Sequence, residues 1–579
     1  MVRYAITLIA ALLIASGPAS GESARILIDG LFEDWDAIAP VYWDSTADQS
    51  SGELDFGRLW IANDENWLHL SLEVGSEVNI QEGNLISIFL DTDNDAATGQ
   101  PRHGIGAEMG WTFGNRVGFF VAATYTYNIR HDRIGLVAAP TVTGARFEFC
   151  FDRSATPLDQ VPLFQGDTVR VVVADSDGGD VMPDAGESIV YVFDDGPLIP
   201  RESVSIRKRE ANQVRFLSYN VLFDGIFESG KRRSFDRVFN AVIPDIVGFQ
   251  EIYNHTAEET RDLVAGFLPA FGPWYGSKVE PDIIAVSRYP IVGTHSIGTN
   301  GAFLIDLGDE HDSEVLFIAA HPPCCSNDAG RQREIDAIMA FLRESKSSGG
   351  PLEIAQETPI VIVGDMNLVG DWRQLNTLVT GEIVDTATYG PWFRPDWDET
   401  DLADVRPLHT DAPMAFTWED FESSYWPGRL DFTIYSNAVI DLAGNFVLST
   451  REMHEDTLAT FGLLETDTAI ASDHLPVVSD FIFYPVDPEP AARSFVSPNP
   501  ARRGTTSITF GTQFAGGPKQ VTFYDIRGRR INQASAGPED TLVLWEGKNS
   551  DGYTVAPGIY LAVITNASST ETLKIVYMR

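Results

Sequence analysis

A chain of 579 residues is too long for one hydrophobic core and implies three or four domains. Its formal net charge is −42, unevenly spread, with −26 on residues 201–490 and +4 on residues 491–579. That balance opposes tight nonspecific binding of nucleic acid by the middle of the chain, and the three cysteines show no zinc-site spacing.

Residues 1–21 read as an export signal. Arg3 supplies the positive start, residues 5–14 an apolar core, and Pro18-Ala-Ser-Gly21 a small-residue cleavage region. The apolar run is shorter than the ~18–20 residues that span a bilayer. The expected location is therefore outside the cell or on its surface, with no transmembrane segment once the signal is removed. An oxidising compartment permits one bridge among Cys150, Cys324 and Cys325.

Residues 25–199 read as an all-β sandwich. Short strands such as Leu59-Trp-Ile-Ala, Trp67-Leu-His-Leu-Ser-Leu and Val169-Arg-Val-Val-Val-Ala alternate with Gly, Asn and Asp clusters. Asp91, Asp93 and Asp95 alternate in Phe89-Leu-Asp-Thr-Asp-Asn-Asp-Ala-Ala-Thr-Gly99 and would suit a structural Ca²⁺, although the Gly and terminal Glu of an EF-hand are missing. Asp175-Ser-Asp-Gly-Gly-Asp180 is a similar loop. The Phe89–Gly99 stretch and Ile28-Asp-Gly-Leu-Phe-Glu-Asp-Trp35 resemble sandwich modules related to carbohydrate-binding families, which makes surface carbohydrate a candidate partner. Trp60 and Trp67 suit a core role better than sugar stacking. Residues 200–212, after Gly196-Pro-Leu-Ile-Pro200, have little periodicity and read as a linker.

Residues 213–486 repeat one pattern, in which an apolar strand delivers a polar residue. Val214-Arg-Phe-Leu-Ser-Tyr leads to Asn220, Asp245-Ile-Val-Gly-Phe-Gln to Glu251, and Val315-Leu-Phe-Ile-Ala-Ala to His321. Pro359-Ile-Val-Ile-Val-Gly leads to Asp365 and Asn367, which share a direction on extended backbone. Leu430-Asp431-Phe-Thr-Ile-Tyr-Ser436 carries a further carboxylate, and Asp473-His474 precedes another strand. Helices are expected over 231–242, 262–267 and 331–344.

Taken together, these motifs resemble the endonuclease/exonuclease/phosphatase superfamily of metal-dependent phosphoesterases, which includes pancreatic-type deoxyribonuclease. The resemblance implies two packed β-sheets flanked by helices, an α/β sandwich between two all-β sandwich domains. It also implies roles. Glu251 would hold Mg²⁺ or Mn²⁺, with Asn220 and Asp473 beside it. Asp365 would orient or deprotonate water. Asn367 would bind that water or the phosphate, as Asn220 would the phosphate. His474, oriented by Asp431, would contact the phosphate, and His321 matches a second histidine of deoxyribonuclease-like members. The following Pro322-Pro-Cys-Cys325 matches no subgroup pattern.

The leading expectation is a secreted Mg²⁺-dependent phosphodiesterase, an extracellular nuclease acting on DNA or RNA. Lys231, Arg232, Arg233 and Arg237 would form a basic face for a nucleic-acid backbone, or a solvated helix face. A phosphatase or lipid phosphodiesterase stays open, as does an adhesion or carbohydrate-binding protein with a silent central domain. Residues 487–579 open with a proline-rich linker. They continue as a small β domain resembling immunoglobulin-like C-terminal sorting modules, so secretion machinery is a candidate partner.

Overall fold

The apolar runs of the central segment become the inner strands of two facing six-stranded sheets. In this computed structural model one sheet has the order Tyr275–Val279, Ile283–Ser287, Ile246–Gln250, Gln213–Asn220, Val477–Phe483, Ile440–Val447. The other has the order Ile291–Ile297, Asn300–Asp306, Glu314–Ala320, Ile360–Asp365, Asp431–Tyr435, Ala403–Val405. Phe216, Phe303, Phe317 and Phe481 fill the space between them. The structure describes residues 23–198, 204–483 and 494–578, except 50, 53, 176–177, 185, 498, 500, 503–504, 515–516, 539 and 568, together with the pair Ala19–Ser20. The rest of the expected export signal and the linker at 487–493 lie outside the described residues.

Helices cover both outer faces. Arg232–Val242 buries Phe235, Val238, Phe239 and Val242, the stripe expected from helical spacing, against Val247 and Phe249. Ala257–Phe267 starts five residues before the expected 262 because Thr256 and Glu259 form a capping box, each side chain accepting the other's backbone N–H. Asp328–Ser345, capped by Asn327, covers the second sheet with Ile335, Ile338, Met339 and Leu342. Two packed sheets flanked by helices are the α/β sandwich expected from the sequence.

The N-terminal strands form two further sheets around Trp111, Phe113, Phe120, Phe147 and Phe149. This sandwich and the central sheets make one compact unit, Met1–Tyr484. The outer face of its second sheet is apolar too. Trp60, Ala62, Val137 and Cys150 cluster there with Met414, Phe416, Val447 and Leu475 of the central segment. Trp60 is thus buried, in a cluster shared with that segment. In return, Trp426 leaves the central segment and inserts into the sandwich core, 6.4 Å from Trp111 and 5.9 Å from Phe113 between ring centres.

Residues Pro485–Arg579 form a separate unit. Its two sheets enclose Phe523, Trp545, Tyr560, Ile564 and Tyr577. Cys324 is bonded to Cys325, and Cys150 is buried and free. Among the described residues, no helix is long and apolar enough to cross a membrane.

Candidate active site

Strand register brings most of the polar residues together. Asn220 lies beside Gln250 in a parallel pair, so Glu251 follows immediately past the shared strand end. Ala320 lies beside Gly364, so His321 emerges next to Asp365, and Asp365 stands directly opposite Asp431. Gly364 is required here. Its φ is +145°, and a Cβ would sit 1.9 Å from the Ala320 carbonyl oxygen.

The loops then spend strain to aim donors. Leu222, Phe223 and Asp224 are consecutive non-glycine residues with φ of 49°, 49° and 61°, and Glu251 and Asn367 have φ of 65° and 51°. Left-handed backbone of this kind costs ~1–3 kcal/mol per residue. It directs the Leu222 N–H onto Asn220 Oδ1 at 3.0 Å and the Phe223 N–H onto Glu251 Oε2 at 2.9 Å. The Asn367 N–H likewise donates to Asp365 Oδ1 at 3.0 Å.

Asp365 is the hub. Its Oδ2 accepts from Asn220 Nδ2 at 3.1 Å and Asn367 Nδ2 at 3.2 Å. The same oxygen lies 3.6 Å from His321 Nε2 and 3.5 Å from His474 Nε2. Each imidazole is held from behind by a carboxylate, His321 Nδ1 by Asp282 at 2.6 Å and His474 Nδ1 by Asp431 at 2.8 Å. Asn220 also donates to Glu251 Oε1 at 3.1 Å, so one amide bridges two carboxylates.

Burial opposes charge on both imidazoles, but the carboxylates outweigh it. Against that burial, the hydrogen bond to Asp282 and the charges of Asp365, Asp282 and Glu251 hold His321 up at about 9. Asp431 and Asp365 likewise hold His474 up at about 10. Burial also pushes the Asp365 carboxyl up, while His474 and His321 pull it back. The arrangement sets one buried carboxylate between two oriented cationic donors, a geometry that can serve general acid–base chemistry.

Asp473 lies beside Trp418, its Oδ2 accepting from Trp418 Nε1 at 3.0 Å. Its neighbour Ser472 donates to the Asn220 carbonyl at 2.9 Å, which ties this segment to the first strand end. Asp282 is the residue that sequence reading missed. It also accepts the Glu251 N–H at 3.1 Å, and its only signal was an acid between Pro281 and the strand Ile283–Ser287.

Residues 217–474 match the model of the Endonuclease/Exonuclease/phosphatase family. The central domain belongs to that family. No curated protein matches the chain. Among solved structures it is similar to an endonuclease/exonuclease/phosphatase from Beutenbergia cavernae DSM 12333, at 15% identity and TM-score 0.29 over 63% of this chain and 100% of that one. It is also similar to ANGEL2, a 2′,3′-cyclic phosphatase, at 13% identity and TM-score 0.31 over 49% and 99% of the two chains. Sphingomyelinase C from Streptomyces griseocarneus matches at 14% identity and TM-score 0.26 over 46% and 99%.

The donor set of the family domain fits a hard divalent cation. Glu251 and Asp365 are carboxylates joined through a single amide NH₂, an arrangement whose repulsion a cation relieves. The other residues singled out from sequence are placed elsewhere. Asp91 and Asp93 converge with Glu108, whereas the Asp95 carboxylate turns to accept the Ala97 N–H. Asp180 of the second acidic loop converges with Asp44 and Asp48. Of the basic helix face, Arg237 is spent on Asp467 and Lys231 lies 3.8 Å from Glu228. Arg232 and Arg233 border a hollow shared with Asp236, Glu259 and Asp262.

Proposed function

We propose that this protein is an exported, Mg²⁺- or Mn²⁺-dependent hydrolase that cleaves phosphoester bonds by attack of water. The observation that carries the reading is Asp365 Oδ2 between two imidazole Nε2 atoms at 3.5 and 3.6 Å, each imidazole oriented by its own carboxylate. Asp365 takes the proton of the attacking water, with Asn367 fixing its carboxylate. The charged His474 and His321 present N–H groups to the phosphoryl oxygens, where negative charge grows. Asp431 and Asp282 accept from Nδ1 and so orient each ring with its Nε2–H pointing forward. Glu251 and Asn220, with Asp473 alongside, would hold the metal ion, which when bound neutralises phosphoryl charge. Export rests on the basic, apolar and small-residue order of residues 1–21.

The nuclease form of this reading draws on the family alone, since the basic helix face belongs to a different hollow. A silent adhesion protein has no use for two carboxylate-oriented imidazoles facing a third carboxylate. The test is turnover of bis(p-nitrophenyl) phosphate by the full chain with Mn²⁺ or Mg²⁺, with EDTA, and with His474→Ala. EDTA is expected to abolish turnover, and the substitution to lower kcat about 10³-fold with the fold retained. Equal metal-stimulated rates in both proteins would sink the assignment of the site.

A further inference from the structure

The catalytic residues open into a cavity of about 620 Å³ whose walls come from three separate places. One wall is the aromatic pair Phe223 and Tyr253, stacked at 5.9 Å with an interplanar angle of 27°. A second is the disulfide-bonded turn Cys324–Cys325, whose backbone is pinned where buried Arg331 donates to the Pro323 and Cys325 carbonyls. The third is the N-terminal sandwich, through Asn79, Gln81 and Glu82.

That third wall is locked in place. Asn79 Nδ2 donates to the Val369 carbonyl at 3.0 Å, the Tyr425 hydroxyl donates to Glu82, and the Arg116 guanidinium lies 4.1 Å over the Tyr425 ring. Trp426, also lining the cavity, anchors the same loop in the sandwich core. The sandwich is therefore part of the site's boundary.

The lining also has a definite charge. Among the described residues it includes the carboxylates of Glu82, Glu251, Asp282, Asp328, Glu334 and Asp365, and no lysine or arginine. A polynucleotide brings a phosphate at every step and is gripped by lysine and arginine. Here only the reacting phosphate meets cationic groups, and flanking phosphates would face carboxylates. A volume of this order suits one small organic molecule.

We propose that the substrate is a small phosphoester with one phosphoryl group and an uncharged or cationic organic group that packs on Phe223 and Tyr253, and that the N-terminal sandwich sets this size limit. The inference rests on the phosphoesterase reading above. Such an ester could be free in solution or the headgroup of a lipid, and the assay separates the two.

The full chain, loaded with Mn²⁺, is offered p-nitrophenyl phosphorylcholine, phosphatidylcholine vesicles, a single-stranded oligonucleotide and supercoiled plasmid. The soluble ester is expected to exceed the polynucleotides in kcat/KM by about 100-fold. Vesicle hydrolysis in addition assigns the headgroup source, and hydrolysis of the soluble ester alone assigns a free ester. Polynucleotide cleavage at an equal or higher kcat/KM overturns the inference and leaves the phosphoesterase reading intact. Inactivity on all four, in a folded metal-loaded chain, overturns both. Phe223 is 69% exposed, so Phe223→Ala spares the core. It is expected to raise KM for the soluble ester about tenfold. An unchanged KM rejects the aromatic wall.

Discussion

The N-terminal and C-terminal sandwiches look alike in sequence and differ in what covers their sheets. In the C-terminal unit the strands alternate, as in Lys519–Asp525, where Lys519, Val521 and Phe523 are buried between more exposed neighbours, and in Leu542–Trp545, where Val543 and Trp545 are buried and Leu542 and Leu544 exposed. That is a sheet with one covered face. In the N-terminal sandwich, Arg58–Asn63 is buried at five consecutive positions and Gly144–Asp152 at Phe147 through Phe151. Both faces of that sheet are covered, one by its own partner sheet and the other by Met414, Phe416, Val447 and Leu475. An appended module needs one apolar face, and a module with two is a structural part of its neighbour.

The largest expected effect follows from that difference. Removing residues 1–198 strips the cover from Met414, Phe416 and Leu475 and takes the socket of Trp426 away, so the remaining chain is expected to aggregate or melt without a cooperative transition. Ending the chain at Tyr484 is expected to leave the melting of the first unit unchanged within about 2 °C. Scanning calorimetry of both truncations decides it, and equal damage from the two would erase the distinction.

A smaller effect comes from single tryptophans. Trp426→Ala empties a site in the sandwich core and is expected to cost the first unit ~3–5 kcal/mol and to loosen the wall of the active site, lowering turnover. Trp545→Ala, in the stack with Phe523 at 5.0 Å, is expected to cost the C-terminal unit a similar amount and leave turnover unchanged. Unfolding curves read beside hydrolysis rates check both halves.

The smallest effect is on pH dependence, where the two units differ in sign. Burial pushes Glu148 up to about 8, Asp44 to about 7 and Asp34 to about 6, all in the N-terminal sandwich. The unfolded chain releases these protons near the ordinary carboxylate range and the folded chain holds them, so stability falls as pH rises from that range through about 8. In the C-terminal unit, backbone and side-chain donors of Arg529 hold Asp525 below its usual range. That contribution is present above the ordinary aspartate value and is lost as pH falls through the lowered one. Acidification from about pH 8 to about pH 5 is therefore expected to raise the melting temperature of the first unit and leave the second unimproved, read from the two calorimetric transitions.

Much of the site was legible because a single strand delivers each group. Val315 to Ala320 ends in His321, and the run before Gly364 ends in Asp365 and Asn367. An apolar strand of known direction leaves little choice about where the next polar residue emerges. The capping box at Thr256 and Glu259 is equally local, but apolar spacing alone started that helix at 262 and passed over it. Asp282 was not legible, because its role depends on which strand neighbours Ile246–Gln250, and a sequence does not state sheet order. The left-handed turn at residues 222–224 carries no glycine to announce it. The acidic group of the sandwich shows the same limit, since Glu108 reaches Asp91 and Asp93 across paired strands while the sequence neighbour Asp95 turns away.

The sequence by itself determined the apolar strands of the central domain, the residues at their ends and the family to which that domain belongs, because an apolar run and the polar residue that follows it are properties of a few consecutive residues. The tertiary structure alone decided that the N-terminal sandwich walls the candidate active site. Trp426 shares its loop with Phe421 and Tyr425, and what sets it apart exists only once the core that receives it has formed, more than three hundred positions away in the chain.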